Sequence, residues 1–169
     1  DKFCPDLSVL KHQGSMRTGR PKDLEGFDVV VTSYDTVIRD LSLLKMIEWS
    51  VVALDEAQNI KNPKAKRTLS VKQLPRLASL AITGTPVENR LTDLWSIMDF
   101  SVPGYLGSLS EFNETFENDV YAAANIEPLI SPLMLRRRVA EVASDLPERI
   151  DIPEIVELSE AEAQEYERI

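Results

Sequence analysis

The sequence predicts an α/β protein, a parallel β-sheet flanked by helices, followed by a helical protrusion. Three observations carry that expectation. Short apolar, β-branched runs alternate with amphipathic stretches as far as residue 100, the pattern of successive βαβ units. One of these runs, VVAL at 51–54, is apolar without alternation, as strands covered on both faces of a parallel sheet are. From residue 103 to 148 β-branched alternation is absent and helix-start signals take over.

The elements follow in order. LSVLKHQG (7–14) and DVVVTSY (28–34) read as strands that end in turn or polar residues, and GSMRTGRPKDLEG between them reads as an exposed connection. From Asp35, DTVIRDLSLLKMI places Val37, Ile38, Leu41 and Leu44 at helical spacing. VVAL is the third strand. Asn62-Pro63 then signals a helix start, an Asn N-cap with proline at the first helical position. LASLAITGTP (77–86) is a fourth strand running into a Gly-Thr-Pro turn, and Leu91, Leu94, Trp95 and Met98 form the stripe of a helix packed on a core. Ser108 and Glu111 make a capping-box pattern ahead of Phe112 and Phe116. Ser131-Pro132 opens a further helix leading into LMLRRR, residues 139–148 are acidic and amphipathic, RIDIPEIVELS is extended, and Ser159 with Glu162 opens a last helix. The expected boundaries are 1–102 for the sheet region, 103–148 for the protrusion and 149–169 for an extended segment and helix.

Composition narrows the function classes. The 169 residues are 43% hydrophobic and 28% charged, ordinary for a soluble globular protein. No apolar run reaches the roughly 18 residues of a membrane span, and the N-terminus DKFCPDLSV has no signal-peptide pattern. A single cysteine, Cys4, forms no internal disulfide, and a single histidine, His12, leaves no His/Cys zinc cluster. A reducing, cytoplasmic setting is expected (nucleoid-associated in a bacterium, nuclear in a eukaryote). The chain lacks an initiator Met and stops at Ile169 without a C-cap signal, so it is expected to be cut from a longer one. The net charge of −9 argues against a nucleic-acid binder, but its distribution does not. Residues 1–90 hold 14 Lys/Arg against 11 Asp/Glu, and residues 91–169 hold 5 against 17. Within the first half, KNPKAKRTLSVKQLPR (61–76) has six positive charges and no acid. It reads either as a solvated helix face or as a phosphate contact.

The chemistry concentrates at predicted strand ends, where open parallel sheets bind ligands. Asp55 and Glu56 follow VVAL directly. Magnesium takes few carboxylates and completes its octahedron with waters and phosphate oxygens, so one acid can hold a metal while its neighbour orients the attacking water. Such a pair is also a common surface turn. Thr83-Gly84-Thr85-Pro86 ends the next strand. Its two hydroxyls either hydrogen-bond the carboxylate network or merely shape a turn.

Here the sequence resembles a family. LDEAQNIKNP and LAITGTPVENRLTDLWSIMDF look like boxes of the SWI/SNF-type helicase-like ATPases, DNA translocases of helicase superfamily two, and VVVTSYDTV resembles the box before them. IEWSVVALDEAQ, PGYLGSLSEF, LMLRRRVAEVASDLP and VELSEAEAQEYE match the run between the family's two RecA-like lobes. DEAQ, with the continuity to LRR, is more similar to bacterial members.

The resemblance implies a partial RecA-like sheet of the P-loop NTPase type, with ATP and Mg2+ as cofactors and double-stranded DNA, or a DNA-bound protein complex, as partner. It implies that Asp55 holds magnesium, Glu56 activates water and Gln58 senses the γ-phosphate side. Thr83, Gly84, Thr85 and Pro86 couple hydrolysis to DNA, with Glu88 to Arg90 extending that box. Thr32, Ser33 and Tyr34 touch the tracking strand, and the basic run offers Lys61, Lys64, Lys66 and Arg67. Arg136 and Arg137 match paired arginines near the lobe boundary, structural or contacting.

A site of this class also needs a phosphate loop ending in Gly-Lys-Ser/Thr, and none of the six glycines is followed by lysine. The chain is therefore expected to be the later part of lobe one, with half a catalytic site and no turnover of its own. A catalytically silent scaffold and a nuclease or phosphohydrolase using the same acids remain the other classes.

Overall fold

The computed structural model describes residues 4–85, 90–116 and 121–136. Pro86, Glu88, Arg137, the acidic stretch 139–148 and the closing elements 149–169 lie outside them. The chain divides into two units, 1–129 and 130–169.

The first unit is α/β, as expected. Its strands are β1 (Val9–Lys11), β2 (Val29–Val31), β3 (Trp49–Leu54) and β4 (Arg76–Ala81). They pair in parallel, β1 with β2 and β3 with β4, with Val9 opposite Val29 and Leu54 opposite Ala81. Among the described residues these are two separate two-stranded sheets. The double-sided burial expected of VVAL is half realised. Val52 and Leu54 point into the core, while Val51, Ala53 and their β4 neighbours Ala78 and Leu80 are exposed. Side chains alternate faces along a strand, and only one face is covered here.

The covered face packs on α1 (Pro21–Glu25), α2 (Tyr34–Arg39), α3 (Leu41–Leu44), α4 (Lys66–Lys72) and α5 (Leu91–Ser101). Leu24, Val37, Leu44, Val71 and Phe100 of these helices share one core with Leu54 of β3. The connection 14–26, read as exposed loop, contains a 3-10 turn and α1, whose Leu24 is fully buried. Two helix readings are corrected. The helix from Asp35 breaks at Asp40, which caps α2 with its N–H to the Thr36 carbonyl and starts α3 with its own carbonyl. Asn62-Pro63 does not start a helix: the Asn62 side chain accepts Lys64 N–H in a local turn, and α4 begins only at Lys66.

Polar ties then lock α5 against the preceding segments. Ser96 Oγ, fully buried, donates to the Ile60 carbonyl at 2.6 Å. Lys72 pairs with Asp99 at 2.8 Å and lies over the Trp95 ring. Beyond α5 come α6 (Leu109–Phe116) and α7 (Ala122–Ile130). The capping box forms as read, with Ser108 Oγ accepting from Glu111 N–H and the Glu111 carboxylate accepting from Ser108 N–H. Phe112 is buried, with the Phe116 ring 5.0 Å away. Residues 103–116 and 121–136 contain no strand. In the second unit the described chain is a 3-10 turn, Ser131–Leu133, where the sequence predicted a longer helix, and Arg136 is exposed. Among the described residues no helix is long and apolar enough to cross a membrane.

Candidate active site at the end of the β3–β4 pair

The parallel pairing of β3 and β4 decides where the acids stand. Beyond the strands the ladder continues, with Ile82 N–H donating to the Leu54 carbonyl at 2.8 Å and Ala57 N–H to the Ile82 carbonyl at 2.9 Å. The turn carrying Asp55 and Glu56 is thereby tied to the segment leading into Thr83. Ala57 and Ile60, both fully buried, anchor the following 3-10 turn Ala57–Ile60 in the core. The acids are left exposed at the rim.

Glu56 adopts the left-handed conformation, φ 49° and ψ 52°, the only non-glycine with positive φ among the described residues. A non-glycine residue there costs about 1–2 kcal/mol, and such strain persists only where surrounding bonds over-determine it. The bonds are present. Glu56 N–H donates to Asp55 Oδ1 at 2.9 Å, and the Glu56 carbonyl accepts from both the N–H and the Nδ2 of Asn59, each at 2.9 Å.

A chain of side-chain bonds links the two sequence boxes. Gln58 Nε2 donates to Glu56 Oε2 at 2.6 Å, and Gln58 Oε1 accepts from the Thr83 hydroxyl at 2.7 Å. Both ends of the Gln58 amide are thus used in their proper roles. Thr83 Oγ1 in turn accepts from Thr85 N–H at 3.1 Å. Glu56, Gln58, Thr83 and Thr85, distant in sequence, form one connected string, with Gly84 inside it. Among the described residues no lysine or arginine forms an ion pair with Asp55 or Glu56.

The residues read as nucleic-acid contacts fall into two groups. Thr32, Ser33 and Tyr34 use their hydroxyls internally. Thr32 donates to the His12 carbonyl at 2.8 Å, Ser33 caps α2 by accepting Thr36 N–H at 3.3 Å, and Tyr34 donates to the Asp55 carbonyl at 2.9 Å. Burial holds the Tyr34 hydroxyl up at about 12, opposed by the Arg67 charge and reinforced by Asp55 and Glu56. Arg67 is likewise engaged, donating to Asn59 Oδ1 at 2.8 Å and lying over the Tyr34 ring at 5.7 Å. Lys64 and Lys66 are exposed. Lys61 and Lys64 also line an open cleft of about 630 Å³ together with Arg90, Thr92 and Asn113, with Asp93 as its acid. The sequence reading missed Asn59 and the reach of Tyr34 to Asp55. Asn59 carries a weak cue in asparagine's habit of bonding nearby main chain, whereas a bond across 21 residues carries none.

A parallel-stranded α/β unit with a carboxylate pair and a hydroxyl-bearing turn at neighbouring strand ends has the layout of the open α/β class, in which ligands sit at the carboxyl ends of the strands. The SNF2-related domain family matches residues 1–169, the whole chain, and the chain belongs to that family. YwqA of Bacillus subtilis, provisionally named an ATP-dependent helicase/translocase, is 41% identical over 99% of the chain, and the match spans 19% of YwqA. The TATA-binding protein-associated factor MOT1 of Saccharomyces cerevisiae is 34% identical over 98% of the chain and 10% of its own length. Among solved structures, the Sulfolobus solfataricus SWI2/SNF2 ATPase core in complex with dsDNA superposes with a TM-score of 0.75 at 40% identity, covering 86% of this chain and 32% of that one. The same core determined as a domain gives 0.71 at 39% identity over 99% of the chain and 35% of its own. The chain therefore spans about a third or less of each of these proteins and corresponds to part of the first lobe.

Proposed function

We propose that this chain supplies the acidic half of the ATP-hydrolysing site of an SNF2-type translocase acting on double-stranded DNA. The observation that carries the proposal is the string Glu56–Gln58–Thr83–Thr85, which joins the carboxylate pair to the turn after β4 by bonds of 2.6, 2.7 and 3.1 Å. Asp55 fits a magnesium–nucleotide complex by its chemistry, an exposed hard-oxygen carboxylate at a strand end. Bound there, the ion supplies charge compensation for the phosphates. Glu56 orients the attacking water and accepts its proton, Gln58 holds the carboxylate in place, and Thr83 passes a shift of Gln58 to the turn through Thr85. Gly84 gives that turn room to move, and Pro86 continues the same box.

Lys64 and Lys66, and the cleft shared by Lys61 and Arg90, present cations to the DNA backbone, and Thr32 and Ser33 are further contacts to the tracking strand. Residues 103–148 serve as a helical projection, consistent with α6 and α7 over its described part. The 169 residues contain no Gly-Lys-Ser/Thr, so the chain by itself is expected to release no phosphate from ATP. The setting proposed is cytoplasmic, or wherever the host keeps its DNA.

The test is Glu56→Gln in the full-length protein. The substitution keeps size and removes the proton acceptor, so DNA-stimulated kcat is expected to fall by at least about 100-fold with nucleotide binding retained. Unchanged turnover would show a different catalytic base, and a wild type without turnover would show a silent scaffold.

A further inference from the structure

The peptide unit between Asp55 and Glu56 is held at both ends. Its N–H bonds Asp55 Oδ1, and its carbonyl accepts the Tyr34 hydroxyl at 2.9 Å. The orientation of this plane sets φ at Glu56, the strained dihedral of the turn. On the other side of Glu56, its carbonyl is held by Asn59, whose Oδ1 accepts from Arg67 Nη1 at 2.8 Å. Arg67 closes the circuit by lying over the Tyr34 ring, with Nη2 3.6 Å from Asp35. Its Nε is buried and makes no hydrogen bond. The guanidinium therefore sits where ring and amide hold it, with one of its own donors unmet. An arginine whose only role was phosphate contact gains nothing from leaving a donor buried and unpaired.

The geometry points to Tyr34 and Arg67 as positioning residues for Glu56, a clamp through Asp55 and Asn59 that keeps the glutamate left-handed and its carboxylate on Gln58. This rests on the proposed role of Glu56 and adds residues from two other elements, α2 and α4. Released from the clamp, Glu56 relaxes toward an ordinary backbone conformation, and its carboxylate leaves the string running to Thr83.

The experiment is steady-state ATP hydrolysis by the full-length protein at saturating DNA, with KM for ATP and DNA affinity measured beside kcat. Tyr34→Phe deletes one hydroxyl and keeps the ring under Arg67. Its kcat is expected to fall between about 10- and 100-fold, as for small misplacements of a reacting group, with KM and DNA affinity within about twofold of wild type. Arg67→Ala is expected to fall similarly. The double variant should fall no further than the worse single one, because both act through one conformation. Tyr105→Phe is the control, since it also removes a hydroxyl bonded to a main-chain carbonyl, that of Leu129 at 2.9 Å, away from the site. Its kcat should stay at the wild-type value. Wild-type kcat in Tyr34→Phe overturns the clamp, as does a fall in DNA affinity with kcat at saturation unchanged, which makes Tyr34 a simple DNA contact. Equal kcat losses in Tyr34→Phe and Tyr105→Phe overturn it too, by showing general destabilisation. If Glu56→Gln is inactive while Tyr34→Phe is normal, only the clamp fails. If Glu56→Gln is active, the reading of Glu56 itself fails.

Discussion

Each of the two parallel strand pairs carries a carboxylate cluster nearby, and the clusters are built in opposite ways. Beside β1–β2, Asp40 receives the fully buried His12 Nε2 at 2.9 Å and Arg17 Nε at 2.7 Å, with a second Arg17 nitrogen on its other oxygen. His12 Nδ1 accepts Thr18 N–H, which leaves Nε2 to donate to Asp40. The Arg17 hydrogen bond first, then His12, hold the Asp40 carboxyl below the usual carboxylate range. Every group in that cluster is matched by one of the opposite kind. At the end of β3–β4, Asp55 and Glu56 are side by side and exposed, and among the described residues the donors that hold them are neutral. On the proposed reading, the structural carboxylate is matched where it stands, while the pair that would take a ligand's cation is positioned without such a match.

That contrast is open to attack, first at its larger end. Asp55→Asn in the full-length protein is expected to lower kcat by about 100-fold or more, with the melting temperature within a degree or two of wild type. A large loss of melting temperature would make Asp55 structural and erase the distinction. Asp40→Ala should do the reverse. It leaves the buried His12 donor unmet, at about 1–3 kcal/mol, and kcat of the folded protein should stay within about threefold. Denaturant unfolding beside activity at low temperature separates the two.

A smaller effect appears with pH. Because the folded pKa of Asp40 is lowered, its contribution is complete above the unfolded value of about 3.9 and is lost as pH falls through the folded one. The stability gap between wild type and Asp40→Ala should therefore be constant near neutrality and shrink only below about pH 4. A gap that closed between pH 5 and 7 would refute the part given to the Asp40 carboxylate. The smallest effect concerns the exposed cations. Replacing Lys64 and Lys66 by alanine should weaken DNA binding for all sequences alike and lower the slope of log affinity on log salt by about 2. An unchanged slope would place the DNA elsewhere.

What the sequence disclosed and what it hid divide along the same line. The strand–helix alternation, the Asp-Glu pair at a strand end and the hydroxyl turn were all legible, because each is written in consecutive residues. The break at Asp40 was not. An acid between Arg39 and Leu41 looks like one more solvated helix position, and only folding reveals that His12 and Arg17, more than 20 residues away, both bind it. Asn62-Pro63 misled because the Asn side chain accepts Lys64 N–H as an N-cap accepts the N–H two residues on, yet the turn it closes does not continue, and α4 starts only at Lys66. Tyr34 is a DNA contact by the resemblance alone, and its hydroxyl's reach to the Asp55 carbonyl is written in no consecutive residues.

The backbone at Glu56 has one more consequence, for the history and engineering of this position. Glycine and asparagine accept a left-handed backbone with little penalty, and glutamate does not. Variants sorted only for resistance to heat or protease should drift toward Asn or Gly at 56, and variants sorted for turnover should return to Glu. Stability and activity would then pull one codon in opposite directions, and stabilising substitutions proposed from fold alone should skip it.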